Sequence, residues 1–181
     1  MKKLVAFAGS NSSTSINQLL VDYVVSKLEH VSAESLRLTD YAIPMYSEDI
    51  EKQDGFPESV QQLKSKIAQA DGVVISVNEH NGSLSAFFKN ILDWLSRVDR
   101  NFLEGKKVLL MSTSPGGRGA AGALAYAQSS LPRFGGTIVE SFSLASFYDN
   151  FDTTTKRLSN PELETGLNEI IASFLEAVQS A

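Results

Sequence analysis

Apolar runs and apolar helical stripes alternate along this chain from end to end. Leu4-Val5-Ala6-Phe7-Ala8 is a continuous apolar run, so residues 3–8 read as a buried strand. Residues 16–29 place Ile16, Leu19, Leu20, Tyr23, Val24 and Leu28 on one helical face, with Thr14 or Ser15 available as the cap. Glu34 to Leu38 offers a second strand, interrupted by charge, and a loop through Pro44 and Met45-Tyr46 follows. Residues 57–70 read as a helix opened by Pro57 and broken by Asp71-Gly72. The run 72–77 is apolar on both faces and is the clearest strand. Residues 84–97 are helical, gathering Phe87, Phe88, Ile91, Leu92, Trp94 and Leu95. A buried strand over 107–112 leads through a glycine loop, 115–119, into an Ala-rich helix over 120–131. Residues 137–140 are a fifth strand, and 161–179 close the pattern as an amphipathic helix.

Strands apolar on both faces need helices on both sides, which predicts an α/β fold built on a five-stranded, doubly wound parallel sheet. The 181 residues suit a single domain over 1–181 with a sizeable core. In such sheets ligands bind beyond the carboxyl ends of the strands. Three loops are predicted to fall there: 9–15, 78–83 and 113–119. All three are rich in glycine and small polar residues.

Composition narrows the chemistry. Cysteine is absent, which excludes disulfides, thiolate nucleophiles and thiolate metal sites. With two histidines, His30 and His80, no metal site is expected. A net charge of −5 argues against nucleic acid or an anionic membrane surface as partner. The apolar run after Met1 is too short for a signal peptide or a membrane span, so a cytoplasmic protein is expected.

The first loop, Gly9-Ser10-Asn11-Ser12-Ser13-Thr14-Ser15, joins a strand to a helix. The first amides of a helix lack intrahelical partners and lie at the positive end of its dipole, so hydroxyls added there complete an anion site. The loop holds no Lys or Arg, no dinucleotide glycine pattern and no Gly-Lys-Ser/Thr ending, which leaves a phosphate monoester as the ligand it suits. A merely capped turn is the plain alternative. A rival reading takes Gly117-Arg118-Gly119-Ala120-Ala121-Gly122, with Glu140 on the next strand, as a dinucleotide site.

Several motifs together carry a family resemblance. They are Gly9-Ser10 with Ser15 and Asn17; Glu79, Asn81, Gly82 and Ser83; Phe88-Lys89-Asn90 with Asp93-Trp94; and Ser112-Thr113-Ser114-Pro115-Gly116-Gly117-Arg118-Gly119. The chain resembles the NAD(P)H-dependent FMN reductases of the flavodoxin-like group, which includes azo-, quinone- and chromate-reducing enzymes. It departs from that pattern near Ser12, where the family carries Arg, at Asn78, where Pro is usual, and at His80, where Tyr is usual.

The resemblance implies a three-layer flavodoxin-like fold, FMN as cofactor and NADPH or NADH as electron donor. It implies that Ser10, Ser12, Ser15, Ile16 and Asn17 surround the FMN phosphate. Asn78, Glu79, His80, Asn81 and Gly82 would line the isoalloxazine, and Ser114, Gly116 and Gly117 would approach its other side. The implied reaction passes hydride to the flavin and on to a quinone, azo compound, free flavin or chromate, with no dedicated catalytic side chain. A homodimer or homotetramer is the expected assembly. Two other readings stay open, a flavodoxin-type electron carrier and a flavin-free interaction domain.

Other residues have plainer readings. Asp93 and Arg97 are spaced to pair across one helical turn. Trp94 suits core or a subunit interface, and Tyr46 suits a cover over the site. Phe142, Phe147, Tyr148 and Phe151 suit either packing of the last helix or a dimer seam. Arg118 is free to reach a nucleotide phosphate or a neighbouring subunit.

Overall fold

The computed structural model describes all of residues 1–181. Strand β1 (Lys3–Ala8) leads into helix α1 (Ile16–Ser26), then β2 (Ser32–Leu36) and a 3-10 turn at Leu38–Asp40. Helices α2 (Glu48–Asp54) and α3 (Glu58–Ala68) precede β3 (Gly72–Val77). A hairpin of β4 (Glu79–His80) and β5 (Ser83–Leu84) feeds α4 (Ala86–Val98). Strand β6 (Lys107–Thr113), α5 (Ala121–Ser130) and a 3-10 turn over Leu131–Phe134 follow. The chain ends with β7 (Thr137–Leu144), the short α6 (Phe147–Asn150), a hairpin of β8 (Phe151–Asp152) and β9 (Arg157–Leu158), and α7 (Pro161–Gln179).

The main sheet has five strands in the order β2-β1-β3-β6-β7, every pair parallel. With the hairpins set aside this is order 2-1-3-4-5, the flavodoxin-like arrangement, whose order reverses between β1 and β3. Side chains alternate across each strand, so every strand feeds two cores. Val5, Phe7, Val73, Ile75, Val77, Val108 and Leu110 pack with α3, α4 and α5 on one face. Leu4, Ala6, Ala8, Val74, Leu109 and Met111 pack with α1 and α7 on the other. The expected three layers are present, and each fully buried Leu, Ile or Phe in them contributes about 1.5–3 kcal/mol.

The differences from expectation are local. The second strand lies two residues earlier than 34–38, because the chain turns at Arg37 into a 3-10 turn that buries Leu38 in the core. Helix α2 buries no residue fully, so it carries little apolar stripe; Ser47 caps it, and Glu48, Asp49 and Glu51 sit at its positive end. Strand β7 runs to Leu144 rather than stopping at Glu140. Asp93 pairs with Lys89 at 2.6 Å instead of with Arg97, whose guanidinium is held by Glu51 of α2. Trp94 is fully buried and donates to the Pro44 carbonyl at 2.9 Å. Tyr46 packs edge-on against Trp94 and donates to Glu51, so it braces α2 and α4 rather than covering a ligand site.

Candidate functional site

The loops after β1, β3 and β6 meet at the carboxyl rim of the sheet around an open cleft of about 300 Å³. Its walls are Ser10, Ser12, Thr14, Ser15, Ile16, Asn17, Asn78, Glu79, His80, Thr113, Ser114, Pro115 and Tyr148. Glu79 is the one member carrying a formal charge, and no Lys or Arg is among them.

The first loop is folded by its own hydroxyls. Ser12 N–H donates to Ser10 Oγ at 3.2 Å, and Thr14 N–H donates to Ser12 Oγ at 3.2 Å. Ser15 is the N-cap of α1, its Oγ accepting from Gln18 N–H at 3.1 Å. With Gln18 and Leu19 amides bonded to Ser15, the amides of Ile16 and Asn17 have no acceptor within the chain. No acidic residue occupies the first turn, so the positive end of α1 opens into the cleft.

Asn17 is buried, and its side chain makes three hydrogen bonds. Its Oδ1 accepts from Ser76 Oγ at 2.8 Å and from Thr113 N–H at 3.2 Å, while its Nδ2 donates to the Thr113 carbonyl at 3.2 Å. The carboxamide therefore ties α1 to β3 and β6, and what Asn17 presents to the cleft is its amide. A second tie comes from Ser85, which caps α4 and donates to the Gly9 carbonyl at 2.7 Å.

The second loop is the β4–β5 hairpin. Asn81 (φ 53°) and Gly82 (φ 77°) form its turn, the left-handed pair that a two-residue hairpin of the primed type requires. Glu79 turns its carboxylate away from the cleft, accepting from Ala123 N–H at 3.0 Å and lying 3.7 Å from Arg118. Asn78 Oδ1 is buried and has no hydrogen-bond partner, while its Nδ2 lies 3.4 Å from His80 Nε2. A buried amide oxygen left unpaired costs about 1–3 kcal/mol, so it marks a place where a donor belongs.

The third loop is pinned from below. Ser112 Oγ and Ser143 Oγ both donate to the Gly119 carbonyl, and Thr113 Oγ1 donates to the Leu144 carbonyl. Ser114 stands on the cleft wall, whereas Gly116 and Gly117 lie exposed beyond it. Asn81 and Gly82 likewise sit at the hairpin tip, outside the wall. The rest of the expected set, Ser10, Ser12, Ser15, Ile16, Asn17, Asn78, Glu79, His80 and Ser114, converges.

Thr14, Thr113 and Pro115, in the expected loops but not among the expected ligand groups, complete the cleft with Tyr148, which lies outside those loops. Tyr148 was grouped with Phe142, Phe147 and Phe151; those three are buried, whereas Tyr148 is 64% exposed and edges onto Phe147 at the cleft mouth. The rival dinucleotide reading of 117–122 loses its anion end, because Glu79 already occupies the start of α5. Glu140 lies mid-strand and accepts from Ser173 of α7.

Comparison with known proteins agrees with this layout. The family model described as NADPH-dependent FMN reductase matches residues 2–149. A quinone reductase of Escherichia coli is 39% identical over 120 residues, covering 66% of this chain and 63% of that protein. The match thus spans less than two thirds of that relative's length. An NADPH azoreductase from a Bacillus species is 30% identical over 129 residues, covering 71% of this chain and 68% of that protein. Among solved structures, a flavoenzyme NAD(P)H:(acceptor) oxidoreductase from Paracoccus denitrificans superposes with a TM-score of 0.79 at 26% identity, covering 99% of this chain and 98% of that one. A sheet reversing between β1 and β3, an uncharged anion loop at that point and a family match across both place the chain firmly: it belongs to the NADPH-dependent FMN reductase family.

Proposed function

We propose that this chain binds FMN in the rim cleft and uses NADPH or NADH to reduce a small-molecule acceptor such as a quinone or azo compound. The carrying observation is that one cleft holds two complementary features, the open amide end of α1 and the buried, unpaired Oδ1 of Asn78. The first suits a phosphate and the second suits a ring N–H, so the residues present fit the cofactor.

When bound, FMN supplies the hydride-accepting ring that links the nicotinamide donor to the acceptor. The protein's part is binding and orientation. The hydroxyls of Ser10, Ser12 and Thr14, with the amides of Ile16 and Asn17, hold the phosphate by donated hydrogen bonds and the helix dipole. Asn78 accepts a ring N–H, and the backbone of 78–80 lines the ring with donors, stabilising negative charge there. Tyr148 supplies an aromatic wall at the mouth. Asn17 and Ser85 hold the loops at a fixed spacing, so the cleft is preorganised.

The whole of 1–181 acts in this proposal as one FMN-binding domain. Cytoplasmic location and a homodimer or homotetramer belong to the same proposal, supported by family resemblance and the prevalence of symmetric assemblies. No helix is long and apolar enough to cross a membrane.

Anaerobic spectroscopy tests the reading. The apoprotein should take up one FMN per chain, and NADPH or NADH should then bleach the yellow band. Failure to bind FMN overturns it. Bound FMN that neither nicotinamide reduces points instead to an electron carrier.

A further inference from the structure

A second cleft, of about 290 Å³, runs between α4 and α5 and shares no residue with the rim cleft. Helices α4 and α5 run back from the carboxyl rim, so residues beyond their ends approach the opposite edge of the sheet. Arg100 lies just past the end of α4, and Arg133 in the 3-10 turn past the end of α5. From Lys89 to the end of α4 the groove follows the helix at about 1.5 Å per residue.

The charge of this cleft runs against the chain. In a protein of net charge −5, its walls carry Lys89, Arg100 and Arg133 against one carboxylate, Asp93. Asp93 is spent on Lys89. Of the six arginines, Arg37, Arg97 and Arg118 each have a carboxylate partner, whereas Arg100 and Arg133 here, and Arg157 outside this cleft, have none. Leu92, Tyr126 and Phe134 supply an apolar and aromatic wall, with Tyr126 42% exposed.

Ser130 gives the independent sign of a ligand. It lines this cleft, is 94% buried by its 6% exposure, and its hydroxyl has no partner. The neighbouring Ser129 satisfies its own hydroxyl on the Tyr126 carbonyl at 2.9 Å, so the helix offers that solution and Ser130 does not take it. Cations at helix ends commonly serve only to balance the dipole. That role leaves the Ser130 hydroxyl, buried beneath the cleft wall, unexplained.

We propose that the α4–α5 cleft is a binding site for a small organic oxyanion with a flat apolar body, a phosphate-bearing aromatic compound being the best match. The two free guanidiniums grip the anion, Tyr126 and Phe134 flank the ring, and Ser130 closes the floor by hydrogen bonding. The site is separate from the cofactor cleft and does not depend on the function proposed for it.

Calorimetric titration of the full chain with no FMN added, since FMN is itself a flat aromatic phosphate and would compete, is the test, with adenosine 5′-monophosphate as the probe. Adenosine and inorganic phosphate are the controls. The monophosphate should bind more tightly than either control. The double variant Arg100→Ala/Arg133→Ala should lose at least about tenfold in affinity, as expected for two charge-assisted contacts, with FMN uptake unchanged. Ser130→Ala should weaken binding by a smaller factor. Independently of any variant, probe addition should shift the backbone amide resonances of 126–134 more than those of 10–17. No binding, binding unaffected by the double variant, or shifts confined to 10–17 overturns the proposal. Equal binding of adenosine overturns the anion half, and equal binding of phosphate overturns the flat body.

Discussion

Glu79 on the β4–β5 hairpin accepts from the amide of Ala123, 44 positions along the chain, at 3.0 Å. The carboxylate thereby caps α5 as Ser85 caps α4, so of the three helix starts at the carboxyl rim α1 is the one left open to the cleft. The geometry explains Gly122, since a Cβ there would lie 2.8 Å from both Glu79 Oε2 and the Gly82 carbonyl.

Gly122→Ala is therefore expected to destabilise the protein, although Gly to Ala within a helix ordinarily stabilises it by about 1 kcal/mol. The clash should push the hairpin off α5 and weaken FMN binding. Removing the carboxylate as well, in Glu79→Ala/Gly122→Ala, should not restore stability, because the backbone oxygen of Gly82 remains in the way. Urea unfolding midpoints of the two variants decide this; a Gly122→Ala protein as stable as the parent refutes it.

Asn17 should behave as a structural tie. Asn17→Ala strands the Ser76 hydroxyl and both backbone groups of Thr113, at a cost of about 2–3 kcal/mol. The loss should show in the apoprotein, with no ligand present. If the unfolding midpoint is unchanged and FMN affinity alone falls, the carboxamide is a ligand group and the tie is wrong.

The hydroxyls of the first loop separate by role in a similar comparison. Ser15→Ala should cost about 1 kcal/mol of stability through loss of the α1 cap. Ser12→Ala leaves α1 capped and should lower FMN affinity by about three- to tenfold, with riboflavin affinity much less affected, as one neutral hydrogen bond is worth about 0.5–1.5 kcal/mol. Equal losses for FMN and riboflavin would show that the phosphate does not sit in this loop.

Glu164 should be one source of acid sensitivity. Hydrogen bonds from Lys27 and Tyr23 hold its carboxyl below its ordinary value of 4.5, joining α7 to α1. A depressed folded value adds stability that is complete above the unfolded value and disappears as pH falls through the folded one. Wild type should exceed Glu164→Gln in stability at pH 7 and converge with it once pH has fallen below the depressed folded value. The side chain is 32% exposed, so solvent screening keeps the difference to about 1 kcal/mol or less. A gap that persists at low pH would assign the effect to packing.

The sheet and its layers were legible because they rest on pattern. Runs apolar on both faces announced the buried strands, and the 161–179 stripe matches α7 residue for residue. Features with little apolar signal were not legible. Helix α2 is held by a cap and first-turn charges, and the hairpin at 79–84 is two residues per strand. Asn81-Gly82 was its available signal, since that dipeptide favours a primed turn. Within the cleft, sequence order named the loops but not the direction of each side chain. Glu79 and Asn17 both belong to the rim, yet each spends its side chain holding another element in place. Their direction depends on partners 44 and 96 residues away, and no local spacing encodes that.

The clasp between Ser85 and Gly9 has a kinetic consequence. One hydroxyl joins the mouth of the first loop to the start of α4, so the two banks of the rim cannot drift apart independently. A guest arriving at such a harbour meets walls already standing. Its capture should follow a single bimolecular phase, linear in concentration, with no slow rearrangement behind it.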